Sequence, residues 1–148
     1  QALMRAADVI ILCLPDEAAR EAVALAGALG DDAPRIIDAS TAHRTDNGWA
    51  YGFPELEPGH AKTISNAARV ANPGCYPTGA IALIRPLRDA GIIADDYPVT
   101  VNAVSGYTGG GKSMIADYES GTAPPFLLYS LGLDHKHVPE LTAHAKLS

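Results

Sequence analysis

Cysteine is scarce in this chain, with two in 148 residues, which excludes a disulfide-built secreted scaffold. Cys13 lies in an apolar run and Cys75 follows a turn, so they read as two free thiols, although one disulfide between them is formally open. Basic residues are outnumbered, 11 Lys and Arg against 17 Asp and Glu, and they form no cluster, so binding to nucleic acid through its phosphates is excluded as a main activity. Long apolar runs are missing too. Val9 to Leu14 is the longest and is far too short to span a bilayer, and Gln1 to Arg5 lacks the apolar stretch of a secretory signal, so the expectation is a cytoplasmic protein with no membrane partner. Aromatics make up only 6% of the chain, yet 47% of residues are apolar and 19% charged, enough for a globular core and unlike a disordered segment. Gln1 is not an initiator methionine and Ser148 falls just after a motif discussed below, so the expectation is an internal piece of a longer protein.

What is present is an alternation of strand and helix signals. Ala7 to Leu14 reads as a strand buried on both faces of a parallel sheet, and Pro15-Asp16 breaks it and opens a helix. Apolar residues from Ala18 to Leu29 keep helical spacing until Gly30, and Arg35 to Asp38 forms the next strand. That is a βαβ unit of a Rossmann-like, doubly wound α/β fold. The glycine-rich dinucleotide fingerprint belongs to the first strand and turn of such folds and is not in this chain, as a truncated start predicts and as an unrelated fold would also show. Residues 41–59 read as a site-lining loop, 63–70 return the chain towards Cys75, 78–90 form a helix with Pro86 kinking or shortening its last turn, and 99–104 form a strand with one polar face.

Cys75 stands just past Pro73-Gly74 at the start of a helical pattern. Amides at a helix start point at such a sulfur and the helix dipole favours negative charge there, so a nucleophilic thiolate is one reading and a half-buried cysteine beside a turn is the other. Gly106-Tyr107-Thr108-Gly109-Gly110-Gly111-Lys112-Ser113 satisfies the phosphate-loop pattern G-x-x-x-x-G-K-[ST] after a predicted strand, which makes a nucleotide-hydrolysing or phosphoryl-transfer module an alternative. Its following helix is short, and no apolar strand ending in a metal-binding Asp comes after it. His135 and His137 alternate, with Glu140 and His144 following, but nothing nearby completes a zinc motif and no metal is expected. His60 and His144 read as surface histidines, while the role of His43 is open.

Pro73-Gly74-Cys75-Tyr76-Pro77-Thr78-Gly79 resembles the active-site signature of the N-acetyl-gamma-glutamyl-phosphate reductase family. Further similarity lies in Asp38 to Arg44, Tyr51 to Leu56, Val104 to Tyr107 and His135 to Glu140. Together these segments are similar to the shorter of the two subfamilies and cover nearly the whole chain. The resemblance implies a partial NADP-binding Rossmann-like domain over 1–74 and a partial α+β catalytic and dimerisation domain over 75–148, in a glyceraldehyde-3-phosphate-dehydrogenase-like arrangement. It implies NADPH-dependent reduction of an acyl phosphate to a semialdehyde in arginine biosynthesis through a thioester on Cys75, with His135 as acid and base. Ser105, Gly106, Tyr129, His137 and Glu140 are implied substrate contacts. Glu140 is expected to act behind them by accepting a hydrogen bond from a histidine. Arg44 could fork onto the leaving phosphate or be a plain loop arginine. Leu14, Pro15, Ser40 and Gly109 are the candidate cofactor contacts, and a homo-oligomer, dimer or tetramer, is implied. A cofactor-free thiol hydrolase using the same Cys75 and His135 is a further alternative, and an aspartyl-phosphate reductase is a related one.

Overall fold

A computed structural model describes residues 2–148. Its elements run α1 (Ala2–Arg5), β1 (Val9–Leu12), α2 (Asp16–Gly27), a single 3-10 turn (Gly30–Asp32), β2 (Arg35–Asp38), β3 (Ala50–Tyr51), α3 (His60–Asn66), β4 (Arg69–Ala71), α4 (Cys75–Asp89), a second 3-10 turn (Tyr107–Gly110), α5 (Gly111–Glu119) and α6 (His137–Ala145). They divide into two units. The first runs to Tyr97 and takes up again from Lys136 to Ser148, and the second is Pro98–His135.

The first unit is built on a four-stranded sheet in the order β1-β2-β4-β3, with every pairing parallel. Parallel strands need crossovers, and α2 and α3 supply them. Because all four strands point the same way, Leu14, Ser40, Gly52 and Asn72 to Cys75 all follow carboxyl ends and gather at one edge, the position from which open α/β sheets bind ligands. Leu12, Ala22, Val23, Ala26 and Ile36 form a buried cluster, where α2 turns the face predicted from its spacing onto the sheet.

Several expectations are corrected here. β1 is shorter than predicted and is not buried on both faces: Val9 is 46% and Ile11 67% exposed, while Ile10 and Leu12 turn inward. A continuous hydrophobic run predicts double-sided burial, but β1 pairs only with β2 and sits at the sheet margin among the described residues. α4 begins three residues earlier than predicted, at Cys75, because Pro77 sits in the first turn, where a missing N–H breaks no helical bond. Pro86 does not shorten the helix, which continues to Asp89 and closes beyond Ala90 with Gly91 at φ 69°. The 41–59 loop contains a short edge strand, β3, that its polarity concealed.

In the second unit the strand expected over 99–104 does not form. Residues 98–106 carry no regular secondary structure and pair with no strand, and Val104 is 94% exposed, so the alternation of polar and apolar residues has no neighbouring strand to act on. Tyr107 and Tyr118 stack at 5.0 Å between centroids and hold the glycine turn to α5. No helix among the described residues is long and apolar enough to cross a membrane.

Candidate active site

Cys75 is the first residue of the 15-residue α4 and its thiol is exposed and free. The half-buried alternative for it is therefore corrected. Gly74 caps the helix with extended backbone, and its carbonyl takes both the amide (3.0 Å) and the hydroxyl (2.8 Å) of Thr78, which fixes the first turn. The thiol thus stands at the positive end of four turns of aligned peptide dipoles.

The turn that carries it is clamped from behind by Glu140. This side chain is 1% exposed, yet its carboxylate takes three donors: Tyr51 Oη and the Gly74 amide reach Oε1, each at 2.7 Å, and Arg44 Nη1 reaches Oε2 at 3.1 Å. Arg44 is itself buried, and its other donors go to the Asn72 carbonyl through Nε at 2.9 Å and the Ala39 carbonyl through Nη2 at 3.1 Å. One guanidinium therefore ties the ends of β2 and β4 to the buried carboxylate. Tyr51 and the Gly74 amide are partners of Glu140 that the sequence did not reveal, and the exposed-loop alternative for Arg44 is corrected by its burial.

Gly74 is glycine for lack of room. A Cβ built there would lie 2.7 Å from Arg44 Nη1, 2.8 Å from His137 Nε2 and 2.9 Å from Glu140 Oε2, so Arg44, His137 and Glu140 converge on the residue before the thiol. His137, Glu140 and His144 share one face of α6, at spacings of three and seven, and α6 packs on α4. The strand alternation considered for the two histidines is replaced by a helix that opens at His137, with Pro139 tolerated in its first turn. Among the described residues no cluster of three metal-ligating side chains occurs.

His144, expected at the surface, is half-buried. Its Nε2–H donates to the Arg44 carbonyl at 2.7 Å and its ring stacks on Tyr51 at 3.5 Å between centroids. Burial holds its pKa below the ordinary histidine value, against the pull of Glu140 and the Arg44 carbonyl. Burial, reinforced by the Glu140 carboxylate, pushes the Tyr51 phenol far up, so it stays a donor at any pH the protein meets. His60 also turns inward, with Nε2 2.7 Å from the Tyr51 carbonyl.

On the neighbouring strand end, the buried Asp38 accepts the Ser40 amide at 3.0 Å, the Ser40 hydroxyl at 2.7 Å and His43 Nδ1–H at 2.6 Å, while His43 stacks on Trp49. Ser40 and His43 thereby shape the 39–44 loop from within. Asp16, at the start of α2, accepts the Thr41 amide and hydroxyl, which hold its carboxyl below the usual range, and it locks the loop after β1 to the loop after β2. Leu14 and Pro15 are exposed beside this lock. A surface depression lined by Pro54, Glu55, Glu57 and Asp89 lies towards the other end of α4 from Cys75, and its carboxylates suit no anionic substrate.

Ser105, Gly106, Gly109, Tyr129 and His135 all belong to the second unit. There the Tyr129 and His135 rings meet edge to face at 6.3 Å, and a Cβ on Gly109 would lie 2.6 Å from Ser105 Oγ. The phosphate-loop alternative loses its context, since Gly109 and Gly110 lie in a 3-10 turn that follows no strand.

Residues 75–148 match the family model described as "Semialdehyde dehydrogenase, dimerisation domain", and residues 1–64 match "Semialdehyde dehydrogenase, NAD binding domain". The chain is 60% identical to the N-acetyl-gamma-glutamyl-phosphate reductase of Sinorhizobium medicae over 98% of its own length and 48% of that protein. It is likewise 60% identical to the Brucella canis reductase over 97% of its length and 47% of that protein. It spans about half the length of the curated relatives it matches. Among solved structures, aspartate semialdehyde dehydrogenase II from Vibrio cholerae superposes with a TM-score of 0.58 at 16% identity, over 94% of this chain and 48% of that one, which shows the fold. With its parallel α/β sheet and a family match that begins at the exposed thiol, the chain belongs to the semialdehyde dehydrogenase family.

Proposed function

We propose that the protein to which this chain belongs reduces N-acetyl-gamma-glutamyl phosphate to N-acetylglutamate semialdehyde, releasing phosphate, with NADPH as the reductant. The single observation that carries this is the placement of Cys75: an exposed thiol at a helix N-terminus, behind a glycine pinned by a buried carboxylate, in a chain 60% identical to reductases of that name. In this scheme the Cys75 thiolate attacks the acyl carbonyl, the C–O bond to phosphate breaks, and a thioester remains on the sulfur. His135 takes the thiol proton as the sulfur attacks and returns it to Cys75 when the aldehyde carbonyl forms and the C–S bond breaks. Ser105, Gly106, Tyr129 and His137 contact the substrate. Arg44 and Glu140 hold the cysteine turn, which is the role their burial favours.

The carboxyl edge of the sheet fits a dinucleotide, because it carries the exposed apolar Leu14 and Pro15, a loop ordered by the Asp16–Thr41 lock, and the thiol itself. Bound there, the nicotinamide supplies a hydride. Leu14 and Pro15 offer it an apolar shelf. Ser40 contributes through its backbone, because its hydroxyl is committed to Asp38. Gly109 is the contact assigned to the second unit. The catalytic protein is a cytoplasmic homo-oligomer, dimer or tetramer, in keeping with the dimerisation-domain match.

The test uses the full-length protein with N-acetylglutamate semialdehyde and NADP, reading absorbance with and without phosphate. A phosphate-dependent rise in NADPH that Cys75→Ser lowers on the order of a thousandfold or more supports the scheme. Absence of any nicotinamide change, with hydrolysis of the acyl phosphate instead, makes the protein a thiol hydrolase. Loss of nucleotide binding in Lys112→Ala, with Cys75→Ser silent, makes it a nucleotide-binding module.

A further inference from the structure

We propose that Tyr51 is a positioning residue for the Cys75 nucleophile, acting through Glu140 on the backbone amide of Gly74. This rests on the thiol chemistry proposed above and extends it to a residue outside the cysteine, histidine and glycine segments.

Tyr51 closes β3, where it pairs with Ala71 of β4, and the next amide, that of Gly52, donates to the Ala71 carbonyl at 2.8 Å. The ring is therefore referenced to the strand that leads directly into Asn72, Pro73 and Gly74. His144 stacks on its face at 3.5 Å, so the ring has one place to be. From there the hydroxyl donates to Glu140 Oε1, the oxygen that also accepts the Gly74 amide. All three groups around this carboxylate are donors, so position 140 must present two acceptors, as a carboxylate does and an amide does not. Two donors on one oxygen and one on the other set the carboxylate's rotation, and that rotation sets where the Gly74 amide, and hence the first turn of α4, is held. Without the phenol oxygen, Oε1 keeps only the Gly74 amide while Arg44 still draws Oε2. The carboxylate then turns towards the guanidinium and the amide before Cys75 loosens. A sulfur whose neighbouring amides wander reacts more slowly even though no group touching the substrate has changed.

Tyr51→Phe keeps the ring and its stack and removes only the oxygen. In the full-length enzyme we expect kcat to fall about tenfold with KM within about twofold of the parent. Alkylation of Cys75 by iodoacetamide, followed by peptide mass, should slow at least about threefold, with Cys13 as an exposed internal control whose rate stays put. Hydrogen exchange of the 71–79 segment should quicken, a measurement that stands even if the variant's activity is too low to split. Unchanged Cys75 alkylation and unchanged exchange overturn the proposal, and so does a parallel change at Cys13, which signals general loosening. If the parent enzyme reduces no acyl phosphate, the proposed activity fails while the alkylation and exchange readings still decide the role of Tyr51.

Discussion

Arg44 Nη1 and Glu140 Oε2 meet at 3.1 Å with side chains 8% and 2% exposed, and they join residues 96 positions apart in the chain. A buried pair of this kind is costly to break, because removing one partner strands the other's charge away from water. Arg44→Met should therefore destabilise the protein by about 3–5 kcal/mol, read as a fall in the denaturation midpoint. Arg44→Lys should recover only part of this, because an ammonium cannot serve Asn72, Ala39 and Glu140 from one planar fork.

Gly74→Ala tests the close approach before the thiol. The added methyl meets Arg44, His137 and Glu140 at under 3 Å, so the turn must shift. The expected cost is about 1–3 kcal/mol of stability, together with a loss of turnover larger than that stability loss explains. Chemical denaturation paired with the phosphate-dependent assay checks both. Gly79, an exposed α4 residue with nothing near its Cβ position, is the control at which Ala should raise stability by about 0.5–1 kcal/mol.

Asp16→Ala releases the Thr41 amide and hydroxyl and so frees the loop after β2 from the start of α2. If the dinucleotide lies along this edge, its KM should rise about three- to tenfold while the KM for the acyl substrate stays within twofold. Equal rises in both would place the loop elsewhere in the reaction.

Stability should fall on mild acidification because of His144. In the unfolded chain it binds a proton near pH 6.5, whereas in the folded protein burial holds its pKa lower. As pH drops below about 6.5 the unfolded state gains a proton that the folded state refuses, and stability declines until the folded-state pKa is passed. His144→Gln should flatten that slope in denaturation midpoints measured from pH 8 to 5. Asp16 and Asp89, both held low by hydrogen bonds, act in a separate window: their contribution is present above the ordinary carboxylate range near 3.8 and is lost as pH falls through their folded values.

Much of this was legible in the chain itself. The helical spacing from Ala18 to Leu29 and the apolar Arg35 to Asp38 segment gave α2 and β2, because periodic burial against one neighbour leaves a local trace. The Pro-Gly-Cys turn marked the thiol for the same reason. The clamp behind it left no such trace: Tyr51, Gly74 and Glu140 are brought together by tertiary packing across 66 and 89 positions, and no window of sequence contains them. One signal was available, since His137, Glu140 and His144 at intervals of three and four spell a helical face, but the alternation of His135 and His137 points to a strand instead. The opposite error occurred at 99–104, where alternation promised a strand and no partner strand supplied the ladder.

The long reach from Gly74 to Glu140 also orders events during synthesis. A ribosome delivers the cysteine turn well before α6 has been translated, and until that final helix docks, the Gly74 amide has no carboxylate to hold it. The backbone geometry beside Cys75 is therefore completed by a partner made 66 residues later, so the order of this turn is a late product of folding and not a property of its own local segment.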